Sequence, residues 1–187
     1  ASHTRYLHDG VLRLAERLLA TLPAEIGHVM FTCTGSEAND LAIRIARAAT
    51  GGTGIIVTEN AYHGVTAAVA EFSPSLGSGV ALGPHVRVVP APMGRDFGLD
   101  VQAAIADLQR HGIKPAVLIV DTVFSSDGVI VDPNVLAPAV AAIRAAGGLF
   151  IADEVQPGFG RLGHGMWGFT RQGVVPDLVS MGKPMGN

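Results

Sequence analysis

Residues 148–155 read "GLFIADEV". Four apolar residues end on a carboxylate, Asp153, and a second, Glu154, follows directly. A run this short, bounded by glycine, reads as a buried strand. A charge at the end of a buried strand is costly unless donors or a cation meet it. Side chains alternate along extended backbone, so Glu154 is expected to point away from Asp153. The fold and the chemistry both follow from what surrounds this stretch.

Working outward, apolar runs alternate with helical spacing. "TGIIVTEN" (53–60), "HVRVVPAP" (85–92), "PAVLIVDTV" (115–123) and "PDLVSMGK" (176–183) read as further strands, as does "HVMFTCTG" (28–35). Helices are expected in "DGVLRLAERLLATLP" (9–23), "SEANDLAIRIARAAT" (36–50), "LDVQAAIADLQRHG" (99–112) and "DPNVLAPAVAAIRAAGG" (132–148), with another from Thr66. Ser36 is the candidate N-cap of the second helix. "FSPSLGSGVALGP" (72–84) reads as a surface loop. Strands alternating with helices imply an α/β fold with a mainly parallel sheet between helix layers. The strands are continuous apolar runs, as when both faces are covered.

The chain has 187 residues, 48% hydrophobic and 16% charged, with net charge −3. That suits one globular domain over 1–187 and gives no electrostatic case for nucleic acid or an anionic membrane. No apolar run reaches the ~18 residues of a membrane span. One cysteine, Cys33, excludes an internal disulfide framework and suits the cytoplasm. No metal site is expected. Both ends read as cuts through a longer protein.

In open α/β sheets, ligands bind beyond the carboxyl ends of the strands. Thr34-Gly35-Ser36 opens a helix, where free N–H groups and the helix dipole favour an anion. The plain alternative is that Ser36 only caps the helix. Tyr62 and His63 follow the next strand, and Tyr62 could stack on a flat ligand or pack on its loop. Asp121, Asp153 with Gln156, and Lys183 follow the others. A lysine in apolar surroundings tends to lose its proton and become a nucleophile towards carbonyls, unless it snorkels to solvent. An anion cradle, an aromatic, an acid and a lysine suit one ligand together: pyridoxal 5'-phosphate, with its phosphate, flat ring, basic ring nitrogen and aldehyde. A nicotinamide dehydrogenase would need a G-x-G-x-x-G turn after the first strand, which is missing.

"TGSEANDLAIRIAR" (34–47), "ENAYHG" (59–64), "FIADEVQPGFGRLG" (150–163) and "VVPDLVSMGKPMGN" (174–187) resemble the class III, or ω-type, aminotransferases of fold type I. The resemblance implies an incomplete large domain of that architecture, lacking an N-terminal segment and a C-terminal small domain. It implies transamination between an amine or amino acid and a 2-oxo acid through a Lys183 Schiff base, in a homodimer. Asp153 would pair with the ring nitrogen, Gly35 and Ser36 would hold the phosphate, and Tyr62 would stack, with His63 beside it. Gln156 would sit near the ring hydroxyl. Asp121 stands where many members carry glutamate, in "DTVFSSDG" (121–128) against their "EP-QGEGG". Ser126 falls at their second acid, which puts an ornithine- or GABA-type substrate in doubt. "MGKPMGN" and "MWGF" resemble the branch near alanine–glyoxylate aminotransferase-like proteins. That branch includes phospho-lyases acting on amino-alcohol phosphates, the alternative reaction, and an inactive fragment is a further alternative.

Overall fold

The computed structural model describes residues 5–186. The chain falls into two compact units, residues up to Phe31 and residues from Thr32 on. The first holds helix α1 (Asp9–Leu19), whose N-cap His8 accepts the Gly10 N–H through Nδ1 at 3.0 Å. Leu18 is buried, while Val11, Leu12 and Leu14 are exposed.

The second unit is an α/β sheet, as the alternating pattern implies. Its strands are β1 (Gly54–Thr58), β2 (Val86–Val89), β3 (Pro115–Asp121), β4 (Leu149–Asp153) and β5 (Leu178–Ser180). They lie in the order β2-β1-β3-β4-β5, all parallel. The chain runs outward from β1 to β2 and then returns to the other side of β1 for β3. The strand order therefore reverses between β1 and β3, where such sheets open a ligand crevice. The β3–β4 register sets Asp121 beside Asp153, and β4–β5 sets Asp153 beside Ser180. Ile55, Ile56, Leu118, Ile119, Phe150 and Ile151 have no solvent exposure.

Helices α2 (Gly35–Thr50), α3 (Ala67–Ala70), α4 (Phe97–Arg110), α5 (Leu136–Ala145) and α6 (Gly168–Arg171) complete the unit. The N-cap of α2 is Thr34, not Ser36. Thr34 Oγ1 accepts the Glu37 N–H at 3.1 Å, and Glu37 Oε2 accepts the Thr34 N–H at 3.1 Å and the Cys33 N–H at 2.8 Å. This reciprocal capping box sets the cap two residues earlier and leaves the Ser36 hydroxyl for other work. At the other end Gly51 is left-handed, φ 66°, and stops the helix. Helices α4 and α5 pack together where a Cβ built at Gly98 would fall 2.6 Å from Pro138 Cβ, so only glycine allows this approach.

Two further expectations fail. "HVMFTCTG" forms no strand: among the described residues no ladder pairs with it, and Met30 and Phe31 are exposed. An apolar run becomes a strand only where neighbouring backbone groups complete its hydrogen bonds. The 72–84 stretch is not wholly a surface loop, because Phe72 and Ser73 are buried and residues Pro74–Leu76 make a 3-10 turn.

Glu154 turns away from Asp153 as alternation requires, but into the protein. It is fully buried. Its Oε1 accepts from the Thr122 hydroxyl at 2.6 Å and the Phe169 N–H at 2.9 Å, and Oε2 accepts the Gly168 N–H at 2.7 Å. A carboxylate thus caps the start of α6 and ties it to β3 and β4. Burial is the largest influence on this group and raises its pKa, against the three hydrogen bonds. The folded chain therefore holds the proton more tightly than the unfolded chain. Stability from this group is full below the ordinary carboxyl range and declines as pH rises through the raised value. Glu154→Gln puts an amide NH2 against donors and is expected to cost about 2 kcal/mol at neutral pH. It should also flatten the pH dependence of stability as pH rises from the ordinary carboxyl range to neutrality. Denaturant titrations at both ends of that range check this; wild-type stability with an unchanged slope would contradict it.

Candidate active site

A cavity of about 440 Å³ opens beyond the carboxyl ends of β1, β3, β4 and β5. That is within the usual range for a small-molecule site. It brings together Gly35, Ser36, Tyr62, His63, Asp121, Asp153, Gln156 and Lys183, every site residue expected from the sequence.

Its floor is Asp153, 4% exposed. No lysine or arginine pairs with this carboxylate among the described residues. Donors meet it instead. Oδ2 accepts from Asn39 Nδ2 at 2.9 Å and lies 2.8 Å from His63 Nδ1, and Oδ1 accepts the Val155 N–H at 3.1 Å. Opposite a carboxylate oxygen, His63 Nδ1 is the donor. His63 is itself 3% exposed, and its N–H is accepted by Ser73 Oγ at 3.1 Å. The side chain that follows the aromatic is thus set behind the acid.

At another wall stands the start of α2. The Gly35 and Ser36 N–H groups find no acceptor among the described residues, as expected of a first helical turn. The Ser36 hydroxyl accepts the Val65 N–H at 3.1 Å. Gly64, φ 132°, lies so close that a Cβ there would meet Ser36 Oγ at 2.4 Å. Glycine is required on both counts, and the "YHG" loop is pressed against the helix start. Tyr62 is 45% exposed and available to a ligand's face.

Asp121 lines the cavity, but its carboxylate is turned into its own loop. Oδ1 accepts the Val123 N–H at 3.0 Å, and Oδ2 accepts the Ser125 N–H at 3.0 Å and the Ser125 hydroxyl. Burial raises its pKa most, the loop donors oppose that, and neighbouring Asp153 raises it further. In the same loop Asp127 turns to β1, taking the Thr58 hydroxyl at 2.6 Å and the Asn60 N–H at 3.0 Å. Ser126 is left facing the cavity.

Lys183 lines the cavity from a 3-10 turn (Lys183–Gly186) beyond the three-residue strand β5. Here the sequence misleads. The stretch around it is apolar, yet Lys183 is exposed and its neighbours Met181, Gly182 and Met185 are only half-buried. Gln156 is half-buried and Arg161 exposed.

Asn39 is the site residue that sequence reasoning missed. It is 1% exposed on α2 and joins Asp153 to the His63 carbonyl, 2.8 Å from Nδ2. Asparagine inside a helical repeat gives one faint signal: a polar residue on the face that Ala42, Ile43 and Ala46 bury. Among the described residues no three His, Cys, Asp or Glu are placed to hold a metal, and no helix is long and apolar enough to cross a membrane.

The model of the family described as "Aminotransferase class-III" matches residues 1–187. An alanine–glyoxylate aminotransferase 2-like protein of Drosophila melanogaster is 36% identical over 100% of this chain and 42% of its own length. A solved phospholyase from Arthrobacter, in complex with phosphoethanolamine, is 44% identical with a TM-score of 0.93, over 98% of this chain and 47% of that one. A taurine:2-oxoglutarate aminotransferase from Bifidobacterium kashiwanohense, solved with pyridoxal phosphate and glutamate, is 26% identical with a TM-score of 0.80, over 95% and 44%. The chain spans under half the length of these relatives. Class III aminotransferases depend on pyridoxal phosphate, and this parallel α/β sheet has their fold type I architecture. The chain belongs to the class III aminotransferase family.

Proposed function

We propose that this chain supplies the pyridoxal 5'-phosphate pocket of an enzyme that eliminates phosphate from an amino-alcohol phosphate. The supporting observation is a buried carboxylate, met only by neutral donors and one imidazole, in a cavity shared with a helix N-terminus and a lysine. The residues fit the cofactor. Asp153 retains an open lone pair on Oδ1 for a protonated ring nitrogen, since that oxygen has one donor where two can sit. The free N–H groups of Gly35 and Ser36 suit a phosphate.

When bound, the cofactor supplies an electron-withdrawing ring that stabilises negative charge at the substrate's amine-bearing carbon. The chain's residues do the rest. Asp153 would hold the proton on the ring nitrogen, Tyr62 would cover the ring, and Gln156 would stand by the ring hydroxyl. The Lys183 amine would hold the cofactor at its aldehyde carbon and would take the proton from the substrate's amine-bearing carbon. The electron pair left there would form a double bond to the next carbon as phosphate departs with the C–O bonding pair.

Two observations favour elimination over amine transfer to a 2-oxo acid, the family's other reaction, which would use the same floor. The solved phospholyase is the more similar of the two structures, at 44% identity against 26%. The cavity wall also carries the neutral Ser126, while the Asp127 carboxylate beside it is turned to Thr58 and Asn60. A carboxylate there would repel a phosphorylated substrate. The protein is proposed as a cytoplasmic homodimer, on the family resemblance and the single cysteine.

Lys114 and Lys183 are the two lysines of the sequence. Lys114 Nζ already donates to the Thr50 carbonyl at the end of α2. Borohydride reduction of the cofactor-loaded protein is expected to fix the label on the Lys183 peptide, read by mass spectrometry; label on Lys114 would refute the assignment. With phosphoethanolamine and no 2-oxo acid, inorganic phosphate should appear. Amine transfer that needs a 2-oxo acid and releases no phosphate would support the transaminase instead. Lys183→Ala should lower turnover by at least about 10²-fold, the scale of a lost proton-transfer group; near-normal turnover would remove it from the mechanism.

A further inference from the structure

We infer that Asn39 is a positioning residue that decides which oxygen of Asp153 is offered to the ligand. The inference rests on the cofactor reading above. A carboxylate has about four acceptor positions, two on each oxygen. On Asp153, Oδ2 is met twice, by Asn39 Nδ2 at 2.9 Å and His63 Nδ1 at 2.8 Å. Oδ1 is met once, by the Val155 N–H at 3.1 Å. The open position therefore belongs to Oδ1.

Asn39 fixes this arrangement from two sides. One amide group donates both to Asp153 Oδ2 and to the His63 carbonyl at 2.8 Å. It thus holds the acid and the backbone of the residue that also holds the acid. Turning the amide over would set its oxygen against both of those oxygens, so one orientation alone is tolerable. The same choice leaves Asn39 Oδ1 buried without a partner among the described residues. His63 Nε2 is buried and without a partner among the described residues as well. Such orphaned atoms are uncommon in folded proteins. Both belong to side chains whose remaining polar atoms point to Asp153. The network is satisfied at the carboxylate and unsatisfied behind it. A residue kept only for stability would favour an apolar side chain here, since the flanking buried positions of α2 are Ala42, Ile43 and Ala46.

With Asn39 removed, His63 can no longer be held by its carbonyl, and Oδ2 regains an open position. Each oxygen then has a single donor, His63 Nδ1 on Oδ2 and the Val155 N–H on Oδ1, so the preference for offering Oδ1 to a ring nitrogen is lost. Binding of the cofactor should weaken through Asp153 and not otherwise.

The test is a double-mutant cycle on the affinity for pyridoxal 5'-phosphate, measured by equilibrium dialysis on the whole protein. Asn39→Ala should raise the apparent Kd at least about tenfold in the wild-type background and less than about twofold in Asp153→Asn, since coupled residues are non-additive. Asn39→Asp, which keeps the shape and sets a carboxylate against Oδ2, repeats the cycle should the alanine variant not fold. Its loss in the wild-type background should be larger still. Equal losses in both backgrounds would mark Asn39 as structural and overturn the inference, as would an unchanged Kd. Wild-type protein that binds no cofactor would overturn the cofactor reading and this inference together; normal wild-type binding with no coupling overturns this one alone.

Discussion

A carboxylate buried at the end of a parallel strand is the constraint on which this site depends. Asp153 terminates β4 in a region where its neighbours Phe150, Ile151 and Ala152 have no solvent exposure. A charge there must find donors or become neutral. Each donor comes from a different part of the chain. Asn39 comes from α2, His63 from the loop after β1, and the Val155 N–H from the turn after β4 itself. Satisfying one group therefore ties α2 and the β1 loop to the middle of the sheet. The same ties draw Gly35, Ser36 and Tyr62 to the cavity edge. The polar network and the shape of the site are one feature.

The two acids after β4 show how environment separates like residues. Asp153 and Glu154 are adjacent and both buried. Asp153 faces a cavity and keeps an acceptor position open. Glu154 faces the interior, where Thr122, Gly168 and Phe169 use it to hold α6. Strand alternation alone sends them to opposite sides. One carboxylate lines the cavity and the other serves the fold.

The β strands from Gly54 onward were legible because parallel strands covered on both faces are continuous apolar runs. Tyr62, His63, Asp121, Asp153, Gln156 and Lys183 line the cavity because each follows a strand whose carboxyl end opens on it, whereas Gly35 and Ser36 reach it from the start of α2. The failures share a cause: the decisive interaction was not local. "HVMFTCTG" has strand composition, but composition supplies no pairing partner. Ser36 has cap chemistry, but Thr34 and Glu37 form a better box that moves the cap two residues earlier. Lys183 sits among apolar letters, yet burial depends on what packs over β5, not on which residues adjoin it in sequence. Asn39 was hidden because its partners His63 and Asp153 lie 24 and 114 residues away.

The account stands on Asp153 and Lys183 meeting the same bound molecule. A crystal structure of the protein with pyridoxal 5'-phosphate tests this most directly. The account predicts the ring nitrogen at about 2.7–3.0 Å from Asp153 Oδ1, within the range of a charge-assisted hydrogen bond, and Lys183 Nζ bonded to the aldehyde carbon. A ring nitrogen directed to Asp121, or a cofactor out of reach of Lys183, would contradict it.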